Sequence, residues 1–309
     1  MLQSKSGVAA LSVASNTTLV IVKLAVGLAT GSISVISEAI HSGMDLVAAL
    51  VALFSVRFSS RPADLSHPYG HGKMENISGA VEALLILVAA AFIIYEATRK
   101  MIYGTHLLNL ELGMGVMLFS VVVNILVSRQ LRRVAKATDS LALEADAWHL
   151  TTDVWTSLAV LVGLGLVRLS GWHFLDPLAA LVVAALIVKV AVDLTGKSLG
   201  GLLDTSLPDQ ERERIEAIVR KHAGELVEIH QLRSRKAGAE RHLDFHLVVN
   251  KEETVEQAHT LADDLEEHIR QELPHTTVVI HLEPCDPTEC ARCASLCQRR
   301  EQGKASQGT

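Results

Sequence analysis

Glu38, His41 and Asp45 stand three and four residues apart inside an apolar run long enough for a helix, and Asp146, His149 and Asp153 repeat the spacing. Both read acid-x-x-His-x-x-x-Asp, which sets the three side chains on one stripe of an α-helix. A His and an Asp four apart can hold one cation from a single helix face, as paired His residues do in helical zinc sites. One such stripe alone is more often a structural hydrogen-bonded pair. Two of them, each in an apolar segment where ionisable groups are costly and usually mark an ion or proton path, favour a four-ligand metal site between two helices. Its ligands would be His41, Asp45, His149 and Asp153.

The elements that must position these ligands are long and apolar. The chain has 309 residues, 49% hydrophobic and 20% charged, with a positive mean hydropathy. The first two hundred or so residues are mostly apolar and the rest highly charged, which predicts a membrane domain followed by a soluble one. Six segments, near 8–30, 33–57, 76–98, 108–128, 142–167 and 177–198, are each long enough to cross a hydrocarbon core, and in lipid they must be helices. With the N-terminus inside, the inner loops hold Arg57, Arg61, Lys73, Arg129, Arg132, Arg133 and Lys136, whereas the outer connections hold Arg99, Lys100 and Arg168. The positive-inside rule therefore places both termini in the cytoplasm. Span 2 then descends and span 5 ascends. At about 1.5 Å per residue, His41 and Asp45 lie roughly 12–18 Å below the outer edge, and His149 and Asp153 roughly 10–17 Å above the inner one. In a core about 30 Å thick these depths overlap near the midplane. The two pairs can meet.

Met1 to Ser6 is polar and the following run lacks a small-residue cleavage site, so no cleaved signal is expected. A net charge of −6 with fourteen His argues against nucleic-acid binding, which wants a basic face. All four Cys lie between 285 and 297, so no disulfide framework supports the fold. In the second inner loop Asp64, His67 and His71 fall within eight residues broken by Pro68 and Gly70. Such a run can fold round an ion, although loop His residues are usually just solvated.

From Asp204 the chain reads as soluble. Ser206-Leu207-Pro208-Asp209 looks like a helix start, with Ser at the cap and Pro in the first turn. Strand patterns follow at 226–235 and 240–249 about a Lys236-Ala237-Gly238 turn, then a helix over 253–272 and a strand from Thr277 to Glu283. This αββαβ order predicts a two-layer sandwich with helices on one face of a small sheet. Leu243, Phe245, Leu247 and Val249 should face the helices, leaving His242, Asp244 and His246 on the open face.

Taken together, these residues resemble the cation diffusion facilitators, a family that exports divalent metals from the cytoplasm. The resemblance covers nearly the whole chain: six spans, both His-x-x-x-Asp pairs, the His-Pro-Tyr-Gly-His-Gly-Lys run from His67 to Lys73, the Ser140-to-His149 run of the fifth span, and the αββαβ domain. It implies an all-α six-helix transmembrane domain (1–203), then a cytoplasmic α/β domain (204–284) that resembles a copper metallochaperone and forms a homodimer. It carries the transport site onto His41, Asp45, His149 and Asp153, a loop site onto Asp64, His67 and His71, and a cytoplasmic binuclear site onto His230, His246, His259, His281 and Glu283. Lys73 and Asp204 match the family's charged contact near the membrane surface; read by themselves they are two separate surface charges. Glu283 stands where Asp is the more usual residue, and Glu38 departs from a commoner Asp.

The His-Asp/His-Asp set is the family's zinc-preferring arrangement. Two imidazoles and two carboxylates also suit tetrahedral Zn²⁺ on chemical grounds, while Cd²⁺, Co²⁺, Ni²⁺ and Fe²⁺ share the ligand types. The tail over 285–309 holds Cys285, Cys290, Cys293 and Cys297. It reads either as a soft-metal segment or as a flexible reduced tail. The expectation is a transporter without a cofactor, working on metal ions and protons by alternating access in a prokaryotic cell membrane. An intramembrane zinc enzyme and a non-transporting metal sensor are the rival readings. An enzyme would want an open ligand position and a base, for which only Glu38 is at hand.

Overall fold

The computed structural model describes residues 4–30, 33–103, 111–172, 174–223 and 228–285. The chain divides into two compact units, Met1–Leu203 and Asp204–Thr309.

The first unit is helical. Its six long helices are α1 (Lys5–Thr30), α2 (Ile33–Ser59), α3 (Lys73–Tyr103), α4 (Glu111–Thr138), α5 (Leu141–Ser170) and α6 (Leu175–Leu202). Among the described residues α1, α2, α3 and α6 contain stretches long and apolar enough to cross a membrane. α4 and α5 carry uncharged stretches over 112–128 and 154–167, with Arg129, Arg132, Arg133 and Lys136 after the first and Glu144, Asp146 and Asp153 before the second. α4 runs ten residues past the expected end at 128. The extension is amphipathic: Leu131, Val134 and Ala135 are buried, and Arg132 stacks over the Trp148 ring 4.2 Å away.

Two apolar clusters hold the bundle. One joins Val8 and Ala9 of α1, Val56 of α2, Leu131 and Val134 of α4, and Leu143 and Leu150 of α5. The other joins Ala83, Ile86 and Ala90 of α3 to Ala145 of α5 and Ile187, Ala191 and Leu194 of α6. Small residues let α3 and α6 close on each other, because a Cβ on Gly79 would lie 2.6 Å from Ser198 Oγ. Large apolar side chains such as Leu28, Phe54, Val88, Phe92 and Leu126 point outward, the inverse of a water-soluble bundle and what lipid contact requires.

At the end of the bundle where α1, α3 and α5 begin and α2 ends, Glu75 is buried. It accepts from Lys5 Nζ (2.9 Å), Ser59 Oγ (3.1 Å) and Ser140 Oγ (2.6 Å). One carboxylate thereby ties together four separate stretches of chain.

The second unit is an α/β layer structure: α7 (Asp209–Ala223), β1 (Glu228–Ala237), β2 (Glu240–Val249), α8 (Val255–Glu272) and β3 (Thr276–Pro284). The sheet order is β1-β2-β3, antiparallel in the first pair and parallel in the second. α7 begins at Asp209, and Pro208 accepts the first helical hydrogen bond from Arg212. Proline therefore stands at the boundary and not inside the first turn, where its fixed φ still suits a helix start. β1 extends through Ala237, so the reversal falls on Gly238 (φ +60°), which tolerates the left-handed conformation. Thr254 and Gln257 close a reciprocal cap on α8. Leu243, Phe245, Leu247 and Val249 of β2 are buried against Ile215 and Val219 of α7 and Leu265 and Ile269 of α8. Of their alternating neighbours, His242, Asp244 and His246 are only partly buried, on the open face of the sheet, while Val248 is buried.

β1 carries a bulge. His230 pairs with His246 and Arg233 with Asp244, so Gln231 and Leu232 together oppose Phe245, and Gln231 takes a φ of +51°. The extra residue changes the alternation, leaving both His230 and Arg233 on the open face while Ile229 and Leu232 pack toward the core.

Candidate metal sites

Helical spacing delivers the first site. In α2 and α5 the His and Asp four apart project from one face of each helix, and the two faces meet. His149 Nε2 lies 3.3 Å from Asp45 Oδ1, while His41 Nε2 lies 3.9 Å from Asp153 Oδ1 and 4.0 Å from Asp45 Oδ1. One donor atom each from His41, Asp45 and Asp153 falls within 4.8 Å of the others; His149 joins through Asp45. Donors around a tetrahedral zinc with bonds of about 2.0–2.1 Å stand about 3.3 Å apart. The His149–Asp45 gap already has this length, and the two gaps measured from His41 exceed it by well under 1 Å. Asp45 and His149 are buried and His41 is exposed.

These residues line a cavity of about 530 Å³. Its walls include Glu38, Phe92, Glu96, Lys100 and Asp176, at the start of α2, the end of α3 and the start of α6. This is the end of the bundle opposite Glu75. Glu38, the base an enzyme reading would call on, receives an ion pair from the buried Lys23 at 3.2 Å, and Lys23 also donates to Ser42 Oγ at 2.8 Å.

The second candidate lies in the loop between α2 and α3. Asp64, His67 and His71 bring donor atoms within 4.8 Å of one another, with His67 Nδ1 3.2 Å and His71 Nε2 3.4 Å from the Asp64 carboxylate. The carboxylate accepts from the Ser66 hydroxyl and from the Ser66 and His67 backbone amides, which hold it well below the usual carboxylate range, the hydroxyl contributing most. His71 is buried edge-on against Phe58. Spacing and donor set both fit a zinc-sized ion.

The third candidate is on the open face of the sheet, where register places His230, His246 and His281 side by side on three strands. Glu283 joins them: Oε1 is 2.6 Å from His246 Nδ1 and Oε2 is 3.0 Å from His230 Nε2. The hydrogen bond from His246 leads in pulling this carboxyl below its ordinary range; burial opposes it, and the electrostatic influence of His246, His230 and His281 adds smaller contributions in the same downward direction. His230, His246 and Glu283 form a compact donor trio. His281 stands beside it, its Nε2 3.8 Å from Glu283 Oε1. His259 is not gathered into the trio; it is exposed on α8, with Nδ1 3.6 Å from Asp263 one turn on.

Lys73 donates to the Leu202 carbonyl at 3.4 Å, and in the other unit Asp204 accepts from Arg235 at 3.3 Å. Cys285 is buried at the end of β3, its amide donating to Val249, while Cys290, Cys293 and Cys297 lie outside the described residues. Two buried acids beside the first site have no counterpart in the expected ligand set. Asp146, one turn before His149, was visible as part of the repeated stripe. Glu82 of α3, with Oε2 3.8 Å from His149 Nδ1, was not. The one signal for Glu82 was a charge inside an apolar run.

A family model described as the cation efflux transmembrane domain matches residues 9–203, and one described as the cation efflux protein cytoplasmic domain matches residues 207–285. The chain is similar to an uncharacterized transporter of Synechocystis, with 34% identity over 257 residues and 83% of each chain covered. It is similar to the cation-efflux pump FieF of Salmonella newport and of Salmonella typhimurium, with 34% identity over 284 residues, 92% of this chain and 93% of theirs. A solved structure described as that of a putative zinc transporter, CzrB, is 40% identical over 26% of this chain and all of its own, with a TM-score of 0.26.

Proposed function

The chain belongs to the cation efflux family of metal transporters, the cation diffusion facilitators, and from that premise we propose that it expels Zn²⁺ from the cytoplasm in exchange for protons. The observation that carries the reading is the convergence of His41, Asp45, His149 and Asp153 from two helices onto one cavity. Two nitrogens and two carboxylate oxygens favour zinc over harder ions such as Mn²⁺.

Expelling a dication against an inside-negative potential costs about 2.3 kcal/mol per charge per 100 mV, and inward proton flow can supply it. Ligation needs deprotonated donors, so protons arriving at His41 and His149 would compete the ion off. All six long helices are taken as spans, with α4 and α5 turning their charged residues toward the bundle interior and the inner surface, and both termini in the cytoplasm. In that orientation the cavity opens outward and Glu75 closes the inner end, the geometry of one state of an alternating-access cycle. The units correspond to a transport domain over 1–203 and a cytoplasmic domain from 204 that forms a homodimer, in a prokaryotic inner membrane; the bacterial relatives and the cytoplasmic-domain match support this. The loop and sheet clusters would hold resident Zn²⁺.

The test is zinc flux in reconstituted vesicles, with and without a pH gradient. Asp45→Ala and Asp153→Ala should abolish flux while the protein still assembles; normal flux from either refutes the site. Zinc flux indifferent to the gradient refutes the exchange.

A further inference from the structure

The midplane imidazole of His149 has two nitrogens, and the transport reading uses only one. If Nε2, which faces Asp45 at 3.3 Å, gives its lone pair to the ion, the proton must reside on Nδ1. That nitrogen is buried and has no hydrogen-bond partner. The carboxylate that faces it is Glu82, with Oε2 at 3.8 Å, on a third helix that contributes none of the four ligands.

Glu82 is fully buried, and neither of its oxygens has a hydrogen-bond partner. Its flanks are apolar: Ala83 and Ile86 belong to the cluster that joins α3 to α5 and α6. An uncompensated carboxylate in such surroundings is strongly unfavourable, and any apolar residue would pack there at lower cost. A carboxyl group kept in that position needs a hydrogen-bond partner, and the nearest ring nitrogen is His149 Nδ1. The Nδ1–H of a metal-bound His149 is such a partner: cation charge drawn onto the imidazole strengthens the donor, and a shift of less than 1 Å brings 3.8 Å to hydrogen-bond length.

Resting on the reading of His41, Asp45, His149 and Asp153 as the transport site, we infer that Glu82 is the positioning residue of that site. It accepts the Nδ1–H of His149 when metal is bound, fixes the tautomer that presents Nε2, and so couples α3 to ion occupancy. Carboxylate–histidine–metal arrangements of this kind orient the ring and raise its basicity, and loss of the outer partner usually weakens metal binding about 10–100-fold.

The experiment uses the full-length protein in vesicles, with initial rates measured over a range of zinc concentrations for wild type, Glu82→Gln, Glu82→Leu and Asp153→Ala. Glu82→Leu should raise KM for zinc about 10–100-fold with a smaller change in maximal rate. Glu82→Gln, which keeps an oxygen acceptor at the same place, should recover most of the affinity. An unchanged KM in Glu82→Leu, or equal losses in the two variants, overturns the inference. In a His149→Asp background, which has no Nδ1–H, Gln and Leu should behave alike; a persistent difference also overturns it. Nitrogen-15 NMR of zinc-loaded wild type, with His149 identified by its absence in His149→Asp, should show the proton on Nδ1. A proton on Nε2 is refutation even if Glu82→Leu fails to fold. If Asp153→Ala transports normally, the site reading itself has failed; if Asp153→Ala is inactive and Glu82→Leu has the wild-type KM, only the role of Glu82 has.

Discussion

Zinc should stabilise the cytoplasmic unit through His246, and the size of the effect follows from the geometry. His246 is the central member of the row on the sheet, with Nδ1 2.6 Å from Glu283 and its ring 4.7 and 5.3 Å from those of His281 and His230. An ion held there joins the edge strand β1, through His230, to β2 and β3, and an ion bound only by the folded state adds its binding free energy to folding. At a hundredfold excess over the dissociation constant this amounts to about 2.7 kcal/mol. For a unit of this size each kcal/mol moves the melting temperature by about 4–8 °C, so the shift should be about 10–20 °C. The polypeptide to use spans 206–285, which keeps the complete apolar core from Leu207 to Val278 and excludes Cys290, Cys293 and Cys297, whose thiolates would bind zinc on their own account.

His246→Ala removes a direct ligand, which costs more than the roughly 10–100-fold loss typical of an outer partner, and at the same zinc concentration most of the shift should vanish. Without metal, the contribution of Glu283, whose carboxyl lies below its ordinary range when folded, is present above the unfolded value. It is lost as the pH falls through the lower folded one. Through this group the metal-free unit should therefore weaken in acid. The zinc increment should instead shrink already between about pH 8 and about pH 5, because imidazoles must be neutral to bind. A melting temperature indifferent to zinc, or His246→Ala responding like wild type, refutes the reasoning. Calorimetry or circular dichroism decides it.

Replacing His41 by Asp keeps four ligands but makes the cage harder and more anionic, so the ratio of cadmium to zinc transport should rise; an unchanged ratio places selectivity elsewhere. Glu75→Ala strands Lys5 and removes the acceptor of two hydroxyls at a buried junction, and should cost about 3 kcal/mol of stability, read as an earlier melting transition of the full-length protein in detergent. A transition at the wild-type temperature would show that the junction holds nothing.

Much of this architecture could be read from residue types alone, for a physical reason. Apolar runs in lipid have one backbone solution, so the helices α1 to α6 declared themselves through length. The His-Asp pairs declared themselves because ionisable residues four apart in such runs are costly to keep. The charged continuation of α4 was missed because hydropathy stops at Val127 while helicity does not; Leu131 and Val134 pack inward past the end of the apolar run. Glu82 escaped because nothing in one helix reveals what another helix sets opposite it. His259 was placed with the sheet ligands on family resemblance, and the fold leaves it exposed on α8. Family resemblance had grouped His230, His246, His281 and Glu283; that His230, His246 and Glu283 form the compact trio with His281 beside it became visible only with the strand pairing.

The bulge in β1 bears on how this strand can change over evolutionary time. Because Gln231 and Leu232 together span a single partner position, a chain one residue shorter here would form a plain alternating strand with His230 still opposite His246. An alignment column that drops a residue at this point would therefore keep the ligand, and an ungapped comparison of the same two chains would set it against the wrong neighbour. The strand can lose a residue at Gln231 without moving His230 from its place opposite His246.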